Sequence, residues 1–190
     1  AHQAEAQLEA CVKLAERGID VIPIWNKSNR EHSFIGSHPQ SVFDAAQAAV
    51  EAVGWQLGWH VDADHINMDT VDKYLSCSDF FTIDVADFIG QEPLDDAVAT
   101  FMQKHPELIG SVSIEGIDLP FDISREYVIK VAGKYLAAVA EAGTIYRYIE
   151  SKKDDFIAEV SMDETDTPQT PPELLIILAA LADEGVRIQT

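Results

Sequence analysis

Only two cysteines, Cys11 and Cys77, occur in 190 residues, and neither lies in a Cys-x-x-Cys pair. No disulfide framework is expected, and Cys11, inside a predicted helix, reads as a core residue. Basic residues are also scarce: 13 Lys and Arg stand against 33 Asp and Glu, a formal net charge of −20. A nucleic-acid phosphate would meet a repulsive field, and no Lys/Arg cluster offsets it, so nucleic acid is not expected as a partner. No apolar run approaches the roughly 20 residues of a membrane span. The opening AHQAEAQLEACVKLAERG lacks the basic, apolar and small-residue zones of a signal peptide, and the cytoplasm is the expected compartment. Gly-rich phosphate fingerprints are missing after every expected strand, which disfavours a dinucleotide fold, and no GxSxG or Cys/His nucleophile arrangement occurs.

What is present is alternation. Apolar residues recur at helical spacing in AEAQLEACVKLAERG and in PQSVFDAAQAAVEAVG, with Gly18 and Gly54 placed to end each helix and Ser41 available to cap the second. Strands are expected near residues 20–26, 57–63, 79–84, 155–162 and 186–190, all short runs of bulky apolar residues. KSNREHSFIGSH reads as a polar loop, MDTVDKYLSC as a short helix, and PELIGSVSIEGIDLPFD as irregular structure punctuated by Gly and Pro. EPLDDAVATFMQKH and the long SREYVIKVAGKYLAAVAEAGTIYRYIESK read as helices. TPQTPPELLIILAALADEG starts with a capping box, Thr170 and Glu173, with prolines just inside. Helices alternating with strands imply parallel strands and helical crossovers. The fold class is therefore α/β, built of parallel (β/α) units. Polar residues gather at the C-terminal end of every strand, as in a (β/α)₈ barrel. A barrel needs eight strands and about 250 residues. The chain does not begin with Met and GVRIQT reads as a strand cut short, so a fragment is expected: one incomplete barrel domain over residues 1–190, with a helical insertion at about 93–153.

The chemistry concentrates in GWHVDADHIN. The strand period places His60, Asp62 and Asp64 on one face and Trp59, Val61 and Ala63 on the other, with His65 opening the next loop. Converging carboxylates repel or protonate one another unless a cation is present, and carboxylate plus imidazole suits a divalent metal ion. The bland alternative is that Asp64 caps a following helix and His65 packs in the loop. FIAEVSMDE repeats the pattern with Glu159, Ser161 and Asp163 on one face and Glu164 opening the loop, which makes an acid/base role plausible. Asp84 is a further inward carboxylate candidate. Lys27, Arg30, Glu31 and His32 form a charged loop able to hold an anionic substrate or merely to be solvated. His38 reads as a loop residue, and His2 and His105 as superficial.

Two segments, GWHVDADHINMDTVDKYLSCSDFFTIDVADFIG and FIAEVSMDETDTPQTPPELLIILAALADEGVRIQT, resemble the tagaturonate/fructuronate epimerase family of bacterial hexuronate metabolism. ADH before FFTID, and S-x-D-E-T-x-T-P before a helix, carry the resemblance over about a third of the chain. It implies a metal-dependent sugar-acid epimerase acting on a small-molecule substrate, with Asp64 as proton acceptor, His65 as a metal ligand and Glu164 as proton donor. Further ligands would come from later strands. The residue types fit such chemistry: inversion at C4 by cleavage and re-formation of C3–C4 needs a base, a Lewis acid and an acid. Two other readings stay open, a non-catalytic barrel fragment binding a structural cation and another metal-dependent sugar isomerase or aldolase.

Overall fold

In the computed structural model, residues 3–163, 165 and 167–190 are described. The chain begins with α1 (Gln3–Ala15), β1 (Ile24–Asn26), α2 (Asn29–Ile35) and α3 (Gln40–Val53). Next come β2 (His60–Ile66), β3 (Phe80–Asp84), α4 (Ala97–Lys104) and the short strands β4 (Gly110–Val112) and β5 (Phe121–Ile123). The long α5 (Arg125–Glu150), β6 (Ile157–Ser161) and α6 (Pro171–Asp183) complete the order.

The main sheet has the order β1-β2-β3-β6. β1 runs parallel to β2 with Ile24 opposite His60, and β2 parallel to β3 with Asp62 opposite Phe80. Between β3 and β6, the Ile157 N–H donates to the Asp79 carbonyl and the Val85 N–H to the Ser161 carbonyl, so numbers rise together on both strands, the parallel sense. The expected parallel α/β class is therefore present. The four strands of this sheet among the described residues are half the number that a closed barrel contains.

The chain divides into two compact units. The first comprises Ala1–Ile83, Tyr148–Glu159 and Ile188–Thr190. Its helical spacing pays out in packing: Leu8 of α1 and Ala46 and Ala49 of α3 bury against Trp25 and Val61 of the sheet, with Trp55 alongside. Small residues on α3 let that helix approach closely, and Trp59 fills the margin edge-on to Trp25 and tilted against Phe43. Cys11 packs at the edge of this core. At the N-terminal ends of β2 and β3, Asp79 accepts from the Val61 N–H (2.9 Å) and meets His60 Nδ1 at 2.8 Å. The second unit comprises Asp84–Arg147 and Val160–Arg187. Its core is the apolar face of α5, including Val128, Val131, Tyr135, Ala138 and Ala142, with Ile176, Ile177, Ala180 and Leu181 of α6. The capping box expected on α6 is present: the Thr170 N–H donates to Glu173 (2.8 Å) and the Glu173 N–H to the Thr170 hydroxyl (3.4 Å).

Several local expectations are corrected. The polar loop is in fact α2, started by a Ser28–Glu31 capping box and ended by Gly36 in the left-handed conformation, φ 67°. Ser41 does not cap α3; it lies within the helix and its hydroxyl donates to the His38 carbonyl. MDTVDKYLSC forms only a 3₁₀ turn, Val71–Lys73, because Asn67 and Thr70 exchange local hydrogen bonds that compete with a full helix. The irregular stretch contains an antiparallel pair, β4 with β5, too short for a period to show. Residues 186–190 form no strand, although the Gln189 N–H donates to the Ala158 carbonyl and its side chain accepts from the Ala158 N–H. No described helix is long and apolar enough to cross a membrane.

The Asp79 carboxylate ties strand starts, away from the acids at strand ends, so it serves stability. Asp79→Ala is expected to lower unfolding free energy by about 1–2 kcal/mol, from the loss of one buried N–H acceptor and one imidazole partner. Urea denaturation of the two proteins measures this, and an unchanged midpoint would remove the role assigned to Asp79.

Candidate active site

β2 offers Val61, Ala63 and Ile66 to the buried face, yet it carries three ionisable groups in its last five positions. Up to Ala63 it is regular, pairing with Phe81. The next pair is Ile66 with Ile83, so three steps along β2 match two along β3. The extra residue is a bulge, and His65 within it has φ 53°, a left-handed value rare outside glycine. Two consequences follow from that one residue. Ile66 shifts to the face shared by Val61 and Ala63, where it is completely buried. Asp64 and His65, which a flat strand would send to opposite faces, meet instead, with Oδ1 and Nδ1 2.6 Å apart. His65 was expected in the following loop; it belongs to the strand.

Asp62 lies one pleat behind this pair and is only 6% exposed. Thr82 of β3 donates to it twice, from its N–H to Oδ1 and from its hydroxyl to both carboxylate oxygens, each at 3.2 Å. Burial pushes the Asp62 carboxyl up to about 7, with Asp64 adding to the rise, the Thr82 bonds opposing it and Glu159 of β6 adding a little more. Asp62, Asp64 and Glu159 are thus brought into one field, as the alternation in both strands predicted. Tyr74 sits nearby, its phenol raised to about 12 by burial and by the Asp64 charge. Its hydroxyl donates to the Lys27 carbonyl.

The remaining candidates fall elsewhere. Glu31 closes the cap of α2. His32 is buried against Tyr74, with Nδ1 2.7 Å from the Ser37 hydroxyl, and burial lowers its basicity. Both residues are therefore engaged in holding α2. In the second unit, Asp84 accepts from the Ala86 N–H and Asp163 from the Ser161 hydroxyl. Glu164 and His2 lie outside the described residues. His105 is not superficial: its ring nitrogens meet Glu107 at 2.8 Å and Asp183 at 3.2 Å. Thr82 escaped the sequence reading, although its place between the apolar residues of FFTID, in step with Phe80, was a signal. The bulge left no such trace.

As a metal site the geometry is partial. A carboxylate against Nδ1 fixes the tautomer and orientation of an imidazole, the relation usual behind a ligating histidine. The Asp64–His65 pair fits one ligand of that kind. Among the described residues no group of three or more His, Cys, Asp or Glu is arranged to hold a metal ion.

Parallel strands with ionisable groups at their C-terminal ends define an α/β protein with its site at the strand ends, where such sheets place ligands. A family profile of tagaturonate epimerases (UxaE) matches residues 7–190, and the chain belongs to that family. A tagaturonate/fructuronate epimerase of Thermotoga maritima is 27% identical over 179 residues, covering 87% of this chain and 37% of that protein. The native crystal structure of fructuronate-tagaturonate epimerase UxaE from Cohnella laeviribosi matches 98% of this chain with a TM-score of 0.77 at 22% identity. A glycerol complex of the same enzyme matches equally well, at 21% identity. These likenesses establish the fold. The chain spans 37% of the length of the first relative and 41% of the second.

The Asp62 environment has a pH signature. A carboxyl raised when folded favours the fold below its unfolded value, about 4, and that contribution is lost as pH rises through about 7. Asp62→Asn keeps the shape and an acceptor for Thr82 without the charge. At pH 8 it is expected to be more stable than the parent by on the order of 2–4 kcal/mol, the difference shrinking towards pH 4. Denaturation curves across that range test this, and a difference independent of pH would count against a buried titrating Asp62.

Proposed function

We propose that this chain carries part of the active site of a metal-dependent epimerase that interconverts tagaturonate and fructuronate by inversion at C4. The observation that carries the reading is the Asp64–His65 contact at a bulged strand end, in a chain of this family. In this reading the parallel sheet belongs to one (β/α)₈ barrel domain with residues of about 93–153 as a helical insertion, and the remaining strands come from the part of the relatives that this chain does not match. The substrate is a keto-hexuronate, itself an anion, and the protein is a cytoplasmic enzyme.

Charge supports a cation here. A substrate carboxylate approaching Asp62, Asp64 and Glu159 meets repulsion that only a positive partner offsets. His65 would hold a divalent metal ion, together with donors from outside this chain, and Asp64 would keep its ring oriented. Such an ion supplies Lewis-acid stabilisation of negative charge developing on the substrate.

The chain's own residues perform the proton transfers. The C4 hydroxyl of a 2-keto hexuronate is β to the ketone, so C4–H is not acidic and direct deprotonation is closed. Asp64 removes the proton from the C4 hydroxyl. As the C4=O bond forms, C3–C4 breaks and its electron pair passes to the ketone as an enediolate. The C4 aldehyde rotates and C3 adds to its other face. Glu164 then returns a proton to the C4 oxygen, leaving Asp64 protonated and Glu164 ionised, the states the reverse conversion requires.

In the full-length protein, Asp64→Asn and Glu164→Gln are each expected to lower kcat by about 10²–10⁴-fold with metal content retained, since each removes a proton carrier while the amide oxygen in Asp64→Asn still accepts from the His65 ring. His65→Ala should instead lower metal affinity by about 10–100-fold or more, because a ligand is lost as well as its orientation. Metal analysis beside an epimerase assay separates the outcomes. Full metal content and full activity in His65→Ala would overturn the assignment.

A further inference from the structure

The bulge that joins Asp64 to His65 requires something to stop β2 from slipping along β3. A strand that slides by one residue turns every side chain to the opposite face, and an extra residue makes that slip easier. Ordinary ladder pairing ends at Ala63 opposite Phe81. The side chains that cross between the strands at that point are Asp62 and Thr82. The Thr82 hydroxyl lies within reach of both oxygens of the carboxylate and shares its one proton between them, and the Thr82 N–H reaches one, so two donors fix a single buried carboxyl group. Any other register would bury this carboxylate without donors, at a large cost.

The charged groups facing Asp62 are acids from two strands, Asp64 beside it on β2 and Glu159 on β6, with the Tyr74 phenol near both aspartates. Among the described residues, therefore, a cation pair is not what holds Asp62 inside. The threonine is.

We propose that Asp62 and Thr82 are positioning residues for the Asp64–His65 pair: their hydrogen-bonded contact locks β2 against β3 just before the bulge and so sets the distance between imidazole and carboxylate. The proposal rests on the reading of that pair as part of the active site for its consequence in catalysis, but not for the geometry itself. Both residues are almost completely buried, 6% and 3% exposed, so their effect is exerted through that pair. Thr82→Val keeps the volume and the N–H bond and removes the hydroxyl; Thr82→Ser restores the hydroxyl and is the rescue.

The test uses the full-length protein labelled with ¹⁵N-histidine. In the parent, the His65 ring should show one tautomer, with Nδ1 tied to Asp64. In Thr82→Val its signals should move towards the average of the two tautomers, and in Thr82→Ser they should return. In the epimerase assay, Thr82→Val should lower kcat about 10–100-fold with KM within about threefold, the range seen when outer partners of a site are lost, and Thr82→Ser should recover most of it. Asp62→Asn, which keeps an acceptor for Thr82, should hold the parent tautomer and stands in if Thr82→Val does not fold. A lower melting temperature in Thr82→Val with His65 signals and kcat unchanged would show a purely structural contact and overturn the proposal. If the parent protein has no epimerase activity, the functional reading fails, while the His65 signals still decide whether Thr82 positions the ring. Loss of the parent tautomer in both Thr82→Val and Thr82→Ser, or in Asp62→Asn, would also overturn it.

Discussion

A carboxylate that has left water must be met by donors, and in this chain that requirement organises the end of β2. Asp62 is buried, and among the described residues Thr82 is the donor that satisfies it. The register of β2 on β3 follows from that match, the bulge follows at the next two residues, and the contact of Asp64 with His65 follows from the bulge. Backbone strain of on the order of 1–3 kcal/mol at a left-handed, non-glycine residue persists only where surrounding structure enforces it. Here the complete burial of Ile66 on one side and the Asp62–Thr82 contact on the other supply the enforcement.

The two ends of the same strands do different work. At their N-terminal ends, His60 and Asp79 close the sheet with a carboxylate that accepts from backbone and imidazole together. At their C-terminal ends, acids face one another, and burial together with the Asp64 charge pushes Asp62 up to about 7. Groups arranged to repel lower stability and raise reactivity, which is the usual mark of a site and not of a scaffold. Parallel sheets separate these tasks because all their strand ends of one kind lie on one edge.

The sequence carries the elements well where local chemistry specifies them. Thr170 with Glu173, the prolines behind them and the glycines at the ends of α1 and α3 act within a few residues, so they can be read without the fold. Ser28 and Glu31 carried the same signal, and a helix stands where the charged residues around them suggested a loop. The alternation of strand and helix was sufficient for a parallel sheet, since consecutive parallel strands need a crossover. The acids of β2 and β6 could be assigned to a common face from period two alone.

Identity and order of the residues thus determined the class of fold, the family and the two acidic strand ends, because periodicity, caps and short motifs are local properties of the chain. Only the tertiary structure decided that His65 turns back onto Asp64, that Thr82 is the partner of Asp62 and that His105 lies between two carboxylates. Each of those facts depends on a register or a contact between segments from 17 to 78 residues apart, or on the bulge such a register creates. A strand's own sequence does not contain the register of its neighbour. That is set by which pairing buries the apolar faces while leaving no buried carboxylate without a donor, and it is settled only when the strands meet.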